Sequence, residues 1–427
     1  MSTLQTSKRV YVYLIHGTKH IAEALARRSG IQVFCDQIGV FGTAPLRYDH
    51  LLTKISPGLK QAASRMMSRL IELEKSPSAF VHNSIDYSPF LLPGLRIYLE
   101  KEFRLDLLRM DQRLKLLNAF RFDMIVVTGD IAHMYATMAQ ARNYNCKAVY
   151  IDHGINQSRA GLRDAHLNHV DTTYIAPGTD HIEFYGPVLP AQLKPQRPAL
   201  GNPATTEMES ILGGPTRSGK PRLLLAGFTP KFANFSGCFF YYDRYTRDIL
   251  TVAQRLVKKG YRVSYRPHPG DERAYVHHIL KEMGLEESVD VDLVPNFAES
   301  LKNHDVFVAN TTTCVYQALY AGWPTIFYEP QPDPDHLIGL PIAEDIPYAV
   351  ASTPDALEAG IIDAMDDSTD IARLPELFCT DYARRFIGPN GPQMLEGIVD
   401  YLGNELNSAK STNASALQTG EPRTSTS

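Results

Sequence analysis

The chain has 427 residues, 44% of them hydrophobic and 21% charged, enough to bury cores for about two or three domains. Its 43 basic and 47 acidic side chains leave a formal charge of −4, which excludes the global basic field that points to nucleic acid as a partner. The cysteines at 35, 146, 238, 314 and 379 are odd in number and form no C-x-x-C pair, which argues against a structural zinc site and for a reducing, cytoplasmic setting.

The polar residues Met1 to Arg9 lack the apolar run of a signal peptide, and no later stretch reaches the ~18 apolar residues of a membrane span. Val10 to Ile15 reads as a first strand, His16 to His20 as its turn and Ile21 to Arg28 as the start of a helix. Ile31 to Phe34 is a second strand, and residues 57–77 and 96–119 have the leucine spacing and mixed charges of long surface helices. Met124 to Thr128 and Ala148 to Ile151 are further strands, ending in Gly129-Asp130 and Asp152-His153-Gly154.

Residues 186–222 are rich in Pro and Gly and read as an interdomain connection. A second alternation of strands and helices begins at Arg222 to Gly227 and continues with a helix from Tyr245 to Lys259 and a strand from Arg262 to Tyr265. Asn296-Phe297-Ala298-Glu299 is a helix-capping pattern, and Asp305 to Asn310 and Thr325 to Tyr328 are strands. The boundaries expected are 1–205 for a first Rossmann-like domain, 206–221 for a linker, 222–405 for a second and 406–427 for a disordered tail. Short apolar runs alternating with helical patterns imply parallel, doubly wound sheets.

In the second half, the strand ending in Arg266-Pro267-His268-Pro269 is followed about 40 residues later by one ending in Thr311-Thr312-Thr313. Both ends fall at the carboxyl edge of such a sheet, where ligands bind, and the threonines open the next helix. Unpaired backbone N–H groups, threonine hydroxyls and the imidazole of His268 together suit a diphosphate or nucleotide phosphate. Glu329 follows the next strand and either positions a sugar or nucleotide or is a surface loop carboxylate. Thr229, after the Leu223 strand, lies at another carboxyl end.

These residues, continued by Ala318 to Tyr328, resemble the donor half of GT-B-fold bacterial surface-polysaccharide transferases, among them the CMP-sugar-dependent sialyl- and Kdo-transferases and the CDP-glycerol glycerophosphotransferases. The resemblance covers roughly residues 120–400. It implies two facing domains of the doubly wound type and a glycosyltransferase of capsule or lipopolysaccharide synthesis, with a glycerophosphotransferase, a sugar-nucleotide epimerase or a non-catalytic glycan-binding subunit as alternatives. It also implies a nucleotide-activated donor as substrate, no cofactor and no metal. The acceptor would be a glycan or lipid-linked glycan, with peripheral contact at the inner face of the membrane. His268 and Thr311 to Thr313 would be ligands of the donor phosphate, with Arg266 a nearby cation and Pro269 in the same donor-binding element. Gln317 stands where many UDP-sugar enzymes of this fold place a Glu, which favours a cytidine nucleotide.

For the base that activates the acceptor hydroxyl, the resemblance offers Asp130 and His153, with His16 as a further acceptor-side residue. Asp130 could equally cap a helix, and His153 could be a turn residue. Gly214 to Lys220 satisfies the G-x-x-x-x-G-K pattern, but Pro221 replaces the hydroxyl residue and a strand follows where a P-loop needs a helix. Asp290-Val291-Asp292 and Asp333-Pro334-Asp335 mimic a metal motif in a strand-like and a proline-bound context, and neither implies a metal.

Overall fold

The structure is a computed structural model that describes residues 7–13, 19–35, 44–45, 57–76, 80–82, 85–86, 88–97, 99, 111, 115, 120–128, 146–151, 172–179, 198–227, 239–268, 273–310, 312–330, 349–389 and 391–418. The first half holds β1 (Lys8–Val12), α1 (Lys19–Ala26), β2 (Ile31–Cys35), β3 (Ala44–Pro45), α2 (Pro57–Glu74), a small antiparallel pair β4 (Val81–His82) and β5 (Ile85–Asp86), and α3 (Ser88–Ile97). It continues with β6 (Met124–Thr128), β7 (Lys147–Ile151) and β8 (Thr172–Ile175). These form a parallel sheet in the order β3-β2-β1-β6-β7-β8.

The second half contributes β9 (Arg222–Ala226), α4 (Phe239–Lys258), β10 (Arg262–Arg266), α5 (Arg273–Glu282), β11 (Val289–Val291), α6 (Phe297–Leu301) and β12 (Val306–Ala309). It goes on with α7 (Thr313–Ala321), β13 (Thr325–Tyr328), β14 (Ala349–Ala351), α8 (Pro354–Ala364), α9 (Asp370–Leu377), α10 (Ala383–Phe386) and α11 (Gly391–Gln418). Its sheet, β11-β10-β9-β12-β13-β14, is parallel throughout and repeats the order of the first. The expected pair of doubly wound domains is therefore present.

The central strands of the second sheet are buried on both faces, as apolar runs such as Val306–Ala309 require. Alternation divides them: Leu223, Leu225, Val263, Tyr265, Val306, Val308, Ile326 and Tyr328 pack against α4, α5 and α8. Leu224, Phe307, Ala309 and Phe327 pack on the opposite face against α6 and α7. At the amino edge Asp305, 1% exposed, accepts from the Arg222 guanidinium at 2.6 and 3.2 Å and from the Arg222 backbone N–H at 2.8 Å. The same residues that read as strand starts are thus clamped together.

Two parts of the chain depart from the expected boundaries. The linker assigned to 206–221 begins inside a 3₁₀ helix, Pro203–Ile211, whose Met208 is fully buried in the second core beside Leu224 and Phe297. The last helix, α11, is not part of the second core although the 222–405 boundary includes its first half: Met394, Ile398, Val399, Leu402 and Leu406 pack with Val10, Val126 and Ile175 of the first sheet. An apolar stripe at i, i+4, i+5, i+8 and i+12 looks the same in sequence whichever sheet it covers.

The first glycine of the P-loop look-alike has a packing reason. The N–H groups of Gly213 and Gly214 donate to Ala321 O at 3.1 and 2.9 Å. A Cβ on Gly214 would meet Gly322 O at 2.7 Å, so this turn is glycine because it lies against the end of α7. Among the described residues, no helix is long and apolar enough to cross a membrane.

Candidate functional site

In the second sheet the chain order reverses between β9 and β12, and the carboxyl edge at such a reversal is where this architecture binds ligands. Four strand ends meet there: β9 at Ala226, β10 at Arg266, β12 at Ala309 and β13 at Tyr328.

The start of α7 is the most distinctive element of that edge. Its N-cap, Thr312, has extended backbone angles (φ −150°, ψ 152°) and makes no side-chain capping bond, and no acidic residue occupies the first turn. Its neighbours are closed differently. Asn296 caps α6 by accepting from Glu299 N at 3.1 Å, Thr353 caps α8 by accepting from Ala356 N at 3.2 Å, and Thr369 caps α9 by accepting from Ala372 N at 3.4 Å. Each of those helices also carries an acid in its first turn. Alone among these four, α7 has no acidic residue in its own first turn to meet the positive end of its dipole.

His268 is exposed two residues beyond β10. With β9 between β10 and β12, its strand lies two strand spacings, roughly 10 Å, from the one that leads into α7. The geometry therefore places His268 and Thr312–Thr313 on the same edge, on either side of β9.

Arg266, expected as a cation near the phosphate, makes its direct contacts with the β11–α6 loop. Its Nη1 donates to Asp292 Oδ2 at 3.3 Å and to Val294 O at 2.6 Å, and its Nη2 to Pro295 O at 3.4 Å. The guanidinium lies 5.9 Å from the centre of the Phe297 ring. Asp292 in turn accepts from the Ser300 hydroxyl and from Val294 N at 2.9 Å. Arg266 thus staples the β11–α6 loop, and Asp292, the second acid of the D-x-D look-alike, is its counter-ion. The field of Arg266 still reaches α7: burial pushes the Cys314 thiol above its ordinary pKa, opposed by a hydrogen bond to Thr312 and by the Arg266 charge.

Glu329 is 2% exposed, so the surface-loop alternative is set aside. Its N–H donates to Ala351 O at 2.9 Å, and Asn310 Nδ2 donates to its Oε2 at 3.3 Å and to Tyr328 O at 3.1 Å. Asn310 escaped the sequence reading because it looked like the last residue of a strand. From α4, Tyr245 donates to Ala226 O at 2.8 Å, and Asp248 accepts from Tyr328 at 2.7 Å. Burial, helped by Asp248, holds the Tyr328 phenol well above its usual range. Helix α4 is thereby fastened across the ends of β9 and β13.

His16, Asp130, His153, Thr229, Pro269 and Thr311 lie outside the described residues. Among the described residues, no group of three or more His, Cys, Asp or Glu side chains could hold a metal ion.

No protein-family model and no curated protein matches the chain. Solved structures match it along its length. A UDP co-structure of MnaA from S. aureus covers 94% of this chain and 97% of its own, with 11% identity and a TM-score of 0.56. A UDP-N-acetylglucosamine 2-epimerase from Rickettsia bellii covers 94% and 98%, with 9% identity and a TM-score of 0.57. The wall teichoic acid polymerase TagF, soaked with CDPG, covers 94% and 89%, with 11% identity and a TM-score of 0.52. The fold is GT-B-like. At these identities the likeness concerns the fold, and it does not single out the CMP-sugar transferases within the GT-B enzymes.

Proposed function

We propose that this chain is a GT-B enzyme that acts on a nucleotide-activated sugar, and that it is a transferase of surface-polysaccharide biosynthesis using a cytidine nucleotide donor of the CMP-Kdo or CMP-sialic acid type. The observation that carries the reading is the start of α7, which has neither a side-chain cap nor an acid in its first turn, on the same sheet edge as His268. A donor phosphate at that turn would accept from the first-turn N–H groups and the threonine hydroxyls. His268 would supply a proton or positive charge as the bond to the transferred group breaks. Asp130 or His153, from the first half, would take the proton of the acceptor hydroxyl. Neutralisation of the leaving group is assigned to these residues, with no cofactor. The acceptor is a glycan or lipid-linked glycan, and a lipid-linked one implies peripheral contact with the inner face of the membrane.

The fold likeness to proteins described as 2-epimerases and to one described as a teichoic acid polymerase favours two second readings, an epimerase and a CDP-glycerol-type glycerophosphotransferase. Gln317, 7% exposed on α7, stands against a UDP-sugar because it occupies the position where a Glu would hold the ribose.

A thermal-shift panel of CMP, CDP, UDP and GDP tests the reading, since a ligand at 100 times its Kd adds about 2.7 kcal/mol. Stabilisation by CMP or CDP alone is expected; stabilisation by none of the four overturns it. NMR of the intact donor, with and without EDTA, then separates transfer from epimerisation.

A further inference from the structure

We propose that Asn310 is a positioning residue that sets where the phosphate-binding turn of α7 lies, by pinning the end of β12 to the ends of β13 and β14. The inference rests on the reading above and names a residue that the reading does not use.

The ladder between β12 and β13 runs through Phe307↔Thr325, Val308↔Ile326 and Ala309↔Phe327 and ends there. One residue further on, a side chain takes over: Asn310 Nδ2 donates to Tyr328 O at 3.1 Å and to Glu329 Oε2 at 3.3 Å. Glu329 is itself anchored, because its N–H donates to Ala351 O at 2.9 Å on β14. Three neighbouring strand ends are thus joined, β12 to β13 through the Asn310 amide and β13 to β14 through the Glu329 backbone N–H, with Asn310 4% and Glu329 2% exposed. Two residues after Asn310 the chain reaches Thr312, the N-cap whose side chain makes no capping bond. With no cap to hold it, the direction of α7's first turn is inherited from the way the chain leaves β12, and Asn310 holds that exit.

The chemistry of the pair makes the idea testable. A buried carboxylate needs a donor, and an amide supplies one without adding charge. Asn310→Asp places two carboxylates about one hydrogen-bond length apart in a buried site, where they ionise together only at a large cost and so share a proton as the pH falls. The charged groups that act on this corner from α4 are Asp248 and Arg244, both through Tyr328. They are unchanged in every variant below.

The experiment measures Kd for CDP and for inorganic pyrophosphate by calorimetry from pH 5.5 to 8.5. It uses the wild-type chain, Asn310→Asp, Glu329→Gln and the double variant, each checked by thermal melting. Expressed relative to wild type at each pH, Asn310→Asp should lose at least tenfold in affinity at pH 8.5 and regain most of it at pH 5.5. The double variant, in which amide and carboxylate change places, should return to within about threefold of wild type at pH 8.5. Wild-type affinity in Asn310→Asp at pH 8.5, or a double variant no better than Asn310→Asp, overturns the proposal. If Asn310→Asp does not fold, Asn310→Ala replaces it: a tenfold loss without pH dependence supports the brace, and unchanged affinity sinks it. A wild-type chain that binds neither probe overturns the parent reading and this one with it, whereas binding by wild type with indifferent variants overturns this one alone.

Discussion

Gly201 and Gly388 lie back to back where the chain passes from the first half to the second and where it returns. A Cβ on Gly388 would stand 2.1 Å from Pro177 O and 3.1 Å from Gly201 Cα, and one on Gly201 would stand 2.2 Å from Pro389 O. Both have positive φ, 104° and 79°. The outgoing crossing extends the first sheet, through the Ala176↔Ala199 bridge and the Gly201 N–H to Pro177 O bond at 2.8 Å. The returning crossing delivers α11 to that same sheet.

Gly388→Ala should therefore lower stability by about 2–4 kcal/mol, combining the left-handed backbone cost with a clash against backbone that cannot rotate away. Gly30→Ala is the control: φ there is 77°, but nothing lies within 4 Å of the added carbon, so about 1 kcal/mol is expected. Urea denaturation of both variants measures the difference, and equal losses would contradict the close approach.

Arg266→Lys should behave almost like Arg266→Met. The guanidinium serves Asp292 and two carbonyls at once, which a single ammonium cannot do. Both variants leave Asp292, 7% exposed at its side chain, poorly compensated, with an expected loss of about 2–4 kcal/mol in denaturant melts. Pyrophosphate affinity should change by less than threefold in Arg266→Lys. A tenfold loss would return Arg266 to the phosphate.

Much of this was legible in the sequence because the parallel strands are short apolar runs whose ends carry chemistry. Met124 to Thr128 and Thr325 to Tyr328 form strands with the expected bounds, and Asn296 caps its helix as its spacing to Glu299 predicts. What was not legible depends on partners distant in the chain. The task of Arg266 is set by carbonyls of residues 294 and 295, and the allegiance of α11 by a sheet more than 200 residues earlier. Asn310 and Glu329 meet only because β12 and β13 are neighbours.

Lys220 ends the P-loop look-alike but is exposed in a turn before a strand. Lys220→Met should leave nucleotide affinity unchanged in titration calorimetry. Gly214→Val should instead cost about 2–4 kcal/mol of stability, since its side chain would be driven into Gly322 O. A loss of nucleotide binding in Lys220→Met with an intact fold would revive a phosphate role for this loop.

His304 gives the fold a pH dependence whose sign can be worked out. Its Nδ1 lies 2.8 Å from Ser300 O, an acceptor, so Nδ1 carries the proton; Nε2, 2.9 Å from Ser264 Oγ, accepts from that hydroxyl. Burial, with Arg222 nearby, holds the imidazole pKa below its ordinary value, against the opposing pull of the Ser300 carbonyl and of Asp292 and Asp305. Below about pH 6.5 the unfolded chain binds a proton that the folded chain resists, so this contribution is full at neutral pH and is lost as the pH falls. The slope from one group cannot exceed about 1.4 kcal/mol per pH unit. Between pH 7 and 5.5 the urea midpoint of the wild type should fall more steeply than that of His304→Asn, which accepts no proton. Parallel slopes in the two proteins would mean that His304 takes up its proton as readily in the folded chain as in the unfolded one.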